Sequence, residues 1–412
     1  MTSVPSGINS EGSPDDVAAT VDAFLAEHWS DDITLRAWWA ALADARLAFP
    51  GWPPPWGRGW SQQAVAVWSA RLEAAQAIGP PTGLGTLMGG PVVLAYGTDD
   101  QQERWLPGLI DGTSGWCQLF SEPGAGSDLA GVTTTATADG DQWVVDGQKV
   151  WTSGAHHADA GMLLARTDWD APKHRGLSYF VLPMVQPGVE VRALRQMNGA
   201  HHFSEVFFTN AVVGGDAMVG APGDGWRVAT ATLQFERQGL GAGSISGPKP
   251  SAGEPAGELD LAVGQIWESF RSGSPKDDAP FGGSGELTRL ARARGELHPV
   301  VRQRLAALTA RERVENATTA RHPLLAKLAW TERLRAASAA CFDALGADGM
   351  LRSSDDDGSL ELAAGFVLSV PSARIAGGTD EIQHNIIGER ALGLPRESVD
   401  LDRPFREWPR NG

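Results

Sequence analysis

The chain has 412 residues, with 34 basic against 50 acidic side chains and a formal charge of −16. That balance excludes a general nucleic-acid or anionic-membrane surface, and two cysteines, Cys117 and Cys341, exclude a disulfide framework. At 42% hydrophobic residues the chain can bury two or three cores, so disorder is not its default, and with no signal peptide or membrane-spanning run the cytoplasm is the expected compartment.

Residues 1 to 14 read as a loose polar tail. Helical spacing follows over Asp15 to Trp29, where Val17, Val21, Phe24 and Leu25 make one stripe, and again over Asp31 to Leu47. Pro50 to Gly57 breaks any helix. Ser61 caps a further helix running to Ala77, residues 80 to 97 are glycine-rich but apolar, and Asp99 to Leu109 is helical with Trp105 and Leu106 inward. Residues 1–112 are therefore expected to form an N-terminal α-helical domain.

From Gly115 to Gly220 the period changes from 3.6 to 2. Runs at Val132 to Thr137, Gln142 to Val145, Met162 to Ala165, Leu177 to Leu182, Val189 to Leu194 and Glu205 to Thr209 predict short strands, with Asp139-Gly140 and Asp146-Gly147 as turns of a meander. A small barrel or a sandwich fits such strands. After Gly220 to Gly225 the helical period resumes at Trp226. Two Pro/Gly/Ser-rich loops, 246 to 257 and 272 to 285, flank one short helix, and helices follow near 285–296, 298–316, 322–347, 359–370 and from Asp380.

The stretch most suited to chemistry is 114–154. Ser121-Glu122-Pro123-Gly124-Ala125-Gly126-Ser127-Asp128 combines hydroxyls with small residues, so that its backbone can approach a flat or phosphorylated ligand closely. Gly147-Gln148-Lys149-Val150-Trp151-Thr152-Ser153-Gly154 follows. Near the other end stand Arg374 to Gln383, with Gly377-Gly378-Thr379-Asp380-Glu381, and then Gly388 to Pro395. A glycine pair that opens a helix offers free N–H groups to an anion or a carbonyl.

In these three ordered motifs the chain resembles the acyl-CoA dehydrogenase family, chiefly over residues 87–240 and 285–396. The resemblance implies an α+β multidomain fold: an N-terminal α-helical domain (1–112), a middle β-barrel (113–222) and a C-terminal α-helical bundle (223–412). It implies FAD as cofactor, an acyl-CoA substrate, an electron-transfer flavoprotein-like acceptor and a homo-oligomer or heterotetramer. By position, Gln118, Phe120, Ser121, Trp151 and Ser153 would contact the flavin ring, where fixed hydrogen-bond partners and a shielding aromatic are needed. Ser127 would meet a pyrophosphate or the substrate, and Thr379, Glu381 and Gln383 the nucleotide end of FAD. The plain alternatives are a barrel-core aromatic for Trp151, a turn serine for Ser127 and a helix N-cap for Thr379.

The expected base departs from the commonest family pattern, because Gly377 occupies the position where many members carry a Glu. A subset places its Glu on the first helix of the C-terminal domain, and Leu233-Gln234-Phe235-Glu236-Arg237 matches that form. The residues support it independently, since Ala229, Leu233, Glu236 and Leu240 make one helical stripe. A carboxylate among core-facing residues is costly unless paired or used, and pairing with Arg237 is disfavoured because adjacent helix positions diverge by about 100°. Glu236 is thus the expected base, with the N–H of Gly377 polarising the thioester and Arg237 as a further substrate contact. An acyl-CoA oxidase and a non-catalytic partner subunit remain as rivals, the latter motivated by the irregular 246–285 segment. His156-His157 and His201-His202 read as solvated rim histidines rather than metal ligands, and Lys173-His174-Arg175 as a solvated turn.

Overall fold

The computed structural model describes residues 13–239, 247–272, 283–293, 295, 298–319, 321–350, 359–396 and 402–408, the side chains of 237–239, 350 and 359–362 excepted. The chain divides into two compact units. The first draws on Met1–Ala193, His202–Ser272 and Leu401–Gly412, and the second on Leu194–His201 and Gly273–Asp400.

In the first unit the helices are α1 (Pro14–His28), α2 (Leu35–Asp44), α3 (Gln62–Ala74), α4 (Gly90–Tyr96) and α5 (Asp99–Ile110). Side-chain caps start four of them: Ser13, Thr34, Ser61 and Thr98 each accept an N–H of the first turn. The expected stripe of α1 is buried in full. Trp38 and Trp39 are wholly enclosed, and their indole N–H groups donate to the carbonyls of Ile78 and Gly79 at 2.8 and 2.9 Å, which removes the cost of burying them. The glycine-rich, apolar segment is helical, a π-turn at Gly85–Gly89 running into α4. The reason is contact: a Cβ on Gly89 would lie 2.6 Å from the Trp116 ring and one on Gly90 2.3 Å from Trp52.

Among the described residues seven strands form one sheet: β1 (Trp116–Leu119), β2 (Thr135–Asp139), β3 (Gln142–Ser153), β4 (Ala160–Arg166), β5 (Leu177–Pro183), β6 (Val189–Leu194) and β7 (Phe203–Gly214). Their order is β1-β4-β2-β3-β7-β6, with β5 antiparallel along the other side of β4 and β1 parallel to it. The sheet curls into a half-barrel. Trp116, Phe120, Met162, Leu164, Leu177 and Tyr179 join the core shared with the helices, whereas Cys117, Leu119, Leu163, Phe180, Val206 and Phe208 fill a second core on the opposite face. That is the period-2 alternation of a sheet covered on both sides.

Only one of the two Asp-Gly pairs turns the chain. Asp139-Gly140 closes the β2–β3 hairpin, but Asp146-Gly147 lies inside β3 as a bulge, where the register against β7 shifts and the Asp146 carboxylate accepts the Asn210 N–H at 2.8 Å. Gly147 has φ +148°, and a Cβ there would sit 2.6 Å from Thr134 Oγ1, so glycine serves close strand approach rather than reversal.

Helix α6 (Gly225–Gly239) packs on β4, β5 and α4 through Val228 and Ala229, both fully buried. Helix α7 (Val263–Ser272) is the short helix expected between the two loops. Most of the second of those loops, residues 273–282, and residues 240–246 lie outside the described residues, while Ser272 ends α7 and Ser284 and Gly285 already belong to a helix. Residues 402–408 return to the first unit and end in a 3₁₀ turn at Phe405–Glu407.

The second unit holds α8 (Ser284–Ala293), α9 (Pro299–Thr319), α10 (Ala326–Leu345), α11 (Ser359–Ala373) and α12 (Asp380–Arg390). Its core is Leu287, Val301, Leu305, Leu308, Ala337, Ala340, Cys341, Leu345 and Ala363, with α10 touching the other four helices. Helices toward both ends of the chain and a curled sheet in the middle of its sequence are the α+β architecture expected from the sequence.

Candidate active site

A buried ion pair sets the glycine loop in place. Lys149, wholly enclosed on β3, donates from Nζ to the Phe120 and Leu164 carbonyls at 2.9 and 2.8 Å and to Glu122 Oε1 at 2.8 Å. Glu122 in turn accepts the N–H groups of Thr133 and Thr134 at 2.7 and 2.9 Å and the Thr133 hydroxyl at 3.0 Å. Every hydrogen-bonding position is occupied, the condition under which a buried pair is tolerated. Burial would push the Glu122 carboxyl up, but the Lys149 charge and the hydrogen bonds from Lys149, Thr134 and Thr133 hold it below the ordinary carboxylate value.

From this anchor the loop projects outward. Glu122 and Ala125 exchange two N–H···O bonds of 3.0 Å, while Gly124, Gly126, Ser127 and Asp128 are exposed. Half-buried Ser121 accepts the Val150 N–H on its carbonyl at 2.9 Å, which ties the loop to the end of β3 one residue before Trp151.

Trp151 is 60% exposed and meets Phe203 edge-on, ring centroids 5.9 Å apart. The core alternative for it is therefore excluded. Its φ of +62° is left-handed, a conformation that costs a bulky residue energy and that accumulates at functional positions. Ser153, two residues on, is half-buried and pairs with Phe203 in register. On β1, the Nε2 of Gln118 is buried without a hydrogen-bond partner. An orphaned amide, a hydroxyl-bearing loop and an exposed, strained tryptophan on neighbouring backbone fit a flat heterocycle with polar edges.

The same strand leads to the carboxylate. Phe120 meets Tyr179 edge-on at 6.0 Å, and the Tyr179 hydroxyl lies 3.5 Å from Thr232 Oγ1, both groups being buried on β5 and α6. Glu236 stands one helical turn beyond Thr232 on α6. Ala229 and Leu233 point inward as expected, whereas Glu236 is half-buried at the end of the stripe. Leu240 and the Arg237 side chain lie outside what is described.

In the second unit Gly377 and Gly378 take φ of +67° and +92° before α12. Thr379 caps that helix through the Ile382 N–H at 3.3 Å, so the helix-cap reading holds for it. Gln383 is buried and its amide donates to the Gly377 carbonyl at 3.0 Å, while Glu381 is exposed. Asp380 was not singled out in the sequence. It is buried, and it accepts from Thr331 at 3.0 Å and Arg374 at 2.6 Å with Lys327 at 3.5 Å. Burial would push it up, yet these partners hold its carboxyl below the ordinary value.

Two other readings change or gain detail. Lys173 is buried rather than solvated, because it is ion-paired to Asp128 and lies 4.7 Å from the Trp408 ring. Among the described residues no group of three or more His, Cys, Asp and Glu could hold a metal ion, and no helix is long and apolar enough to cross a membrane.

Comparison with known proteins bears on all three parts. The acyl-CoA dehydrogenase N-terminal domain family matches residues 15–113, the middle domain family 117–211 and the C-terminal domain family 286–392. The acyl-CoA dehydrogenase IpdE1 of Mycobacterium tuberculosis is 40% identical over 88% of this chain and 89% of its own. The solved ChsE4-ChsE5 complex from Mycobacterium tuberculosis is 25% identical with a TM-score of 0.63, covering 95% of this chain and 100% of that one. The structure titled Tcur3481-Tcur3483 steroid ACAD is 24% identical with a TM-score of 0.65, covering 93% and 98%, and so shows the shared fold. These matches, in chain order, mark an oxidoreductase. The chain belongs to the acyl-CoA dehydrogenase family.

Proposed function

We propose that this chain catalyses FAD-dependent α,β-dehydrogenation of an acyl-CoA thioester to the trans-2-enoyl-CoA, and passes the electrons to an electron-transfer flavoprotein-like acceptor. The observation that carries the reading is the packed path Phe120–Tyr179–Thr232, which ties the strand leading into the glycine loop to the helix bearing Glu236. Glu236 takes the substrate's α-proton. FAD, when bound, supplies the acceptor for the β-hydrogen as hydride. The Gln118 amide and the Ser121 and Ser153 hydroxyls would hold its ring, Trp151 would keep water from it, and Ser127 would meet its phosphates. The roles of Gly377, Thr379, Glu381 and Gln383, that of Arg237, and the domain limits 1–112, 113–222 and 223–412 rest on the family likeness. Two similar solved structures carry titles naming two proteins each, which favours a heteromer over a homo-oligomer.

The test is anaerobic reduction of the FAD-loaded protein by a panel of straight-chain, branched and steroid-type acyl-CoA thioesters. The last belong in the panel because one fold relative is titled a steroid ACAD. Glu236→Gln should keep FAD while flavin bleaching slows by about 10² to 10⁴, the usual worth of a general base. Bleaching at the wild-type rate would remove Glu236 from the reaction. Wild-type protein that holds FAD but is bleached by none would instead be the partner subunit, and rapid reoxidation by admitted air would make it an oxidase.

A further inference from the structure

The contacts of residues 402–408 reach the glycine loop through two cations. The segment lies against the turn after β4: the Phe405 N–H donates to the Ala171 carbonyl at 3.0 Å, the Arg406 N–H to Trp169 at 3.1 Å, and Pro404 pairs with Pro172. Arg406 is ion-paired to Asp170. Its two aromatic side chains each cover a cation. Phe405 lies 3.4 Å under the Arg166 guanidinium, and the Trp408 ring is 4.7 Å from Lys173 Nζ.

Both cations act on the residues that leave the loop. Arg166 is 1% exposed and donates to the carbonyls of Ala130 at 2.7 Å and Val132 at 3.2 Å, with a third bond to Lys173 at 3.1 Å. Lys173, 8% exposed, is ion-paired to Asp128, the neighbour of Ser127. A cation shielded from water by an aromatic face holds its remaining partners more strongly, since water no longer competes for them.

We propose that Lys173 is a positioning residue for the flavin loop: with Phe405 and Trp408 covering Arg166 and Lys173, segment 402–408 fixes Asp128 and residues 130–132, and thereby holds Ser127 where FAD needs it. This rests on the FAD reading of the loop given above. Without the segment both cations hydrate and the loop's exit relaxes, so FAD affinity falls while the fold of the sheet remains.

The experiment measures the dissociation constant of FAD on deflavinated full-length protein by flavin fluorescence, together with melting of the FAD-free protein. Trp408→Ala and Lys173→Met should each weaken FAD by about tenfold, the equivalent of a desolvated cation–π contact with its ion pair. Lys173→Arg should restore wild-type affinity, because it keeps both the charge and the aromatic contact. FAD affinity unchanged in both Trp408→Ala and Lys173→Met, whether or not the FAD-free protein melts earlier, would overturn the proposal and leave the segment a plain stabiliser. Should Lys173→Met fail to fold, Trp408→Ala decides alone, since it alters a half-buried side chain. Full-length protein that takes up no FAD would overturn the parent reading, and this one with it; full-length protein that binds FAD with both variants unaffected overturns this one only.

Discussion

Replacing Lys149 with Met tests how much of the first unit hangs on one buried charge. Met preserves most of the apolar stem and removes the ammonium group. Three hydrogen bonds of 2.8 to 2.9 Å are lost, and the Glu122 carboxylate, 6% exposed, is left without its cation. Removing one partner of a buried pair costs about 3 to 5 kcal/mol. Glu122 keeps its donors from Thr133 and Thr134, so the expected loss falls near the lower end, about 3 kcal/mol, a large part of the ~5 to 15 kcal/mol that holds a domain folded. Urea unfolding followed by tryptophan fluorescence reads this directly, because every tryptophan except Trp330 lies in the first unit. A loss below about 1 kcal/mol, no more than an ordinary hydrogen bond, would refute the reasoning. The double change Lys149→Met with Glu122→Leu should cost less than the sum of the two single changes, since neither charge is then stranded. Strict additivity would mean that the two groups do not depend on one another.

Four further outcomes follow from the same geometry. Because the folded-state carboxyl of Glu122 lies below its ordinary value of 4.5, its contribution is present above that value and lost as pH falls through the depressed one; Glu122→Gln should flatten this part of the acid-unfolding curve, and an unaltered curve would contradict it. Trp151→Ala should leave melting of the FAD-free protein unchanged, the side chain being 60% exposed, yet weaken FAD by about 0.5 to 1.5 kcal/mol; unchanged affinity would take Trp151 out of the cofactor site. Gly377→Ala meets open space and should cost about 1 to 2 kcal/mol for its left-handed backbone alone. Gly378→Ala should cost more, since its Cβ would lie 2.9 Å from Gln383 Nε2 and displace the amide that holds Gly377, and equal calorimetric losses would contradict the packing described.

Local chemistry was legible wherever it decided the outcome. Ser61 and Thr379 cap helices as side chains of their kind do, and β4, β5 and β6 fall where the apolar runs predict. Asp146-Gly147 misled because the dipeptide signals a positive φ, which a bulge uses as readily as a turn, and only the partner strand distinguishes them. The glycines of 85–90 disguised a helix because their reason, Trp52 and Trp116, lies elsewhere in sequence. In the site, the glycine loop, Trp151 and Glu236 stood out, but Glu122 and Lys149 were visible only as motif letters. A lone Lys in a strand and a lone Glu in a small-residue loop each suit a buried partner, yet pairing them across 27 residues needs the fold. Lys173 looked solvated because Trp408, which covers it, is remote in sequence.

The first unit is discontinuous in sequence, and this matters during synthesis. Its helices, sheet and α7 are complete once residue 272 has been made, but the segment that covers Arg166 and Lys173 begins only at residue 402, after the whole of 273–400. At roughly 5 to 20 residues per second, that gap of about 130 residues lasts on the order of ten seconds. For that interval the nascent unit holds its sheet while the two cations beside the glycine loop stay wet and mobile. A ribosome-stalled chain halted before residue 402 would therefore leave Asp128 and its already exposed neighbours looser and quicker to be cut by protease, and release of the full chain would fix them through the Lys173 ion pair.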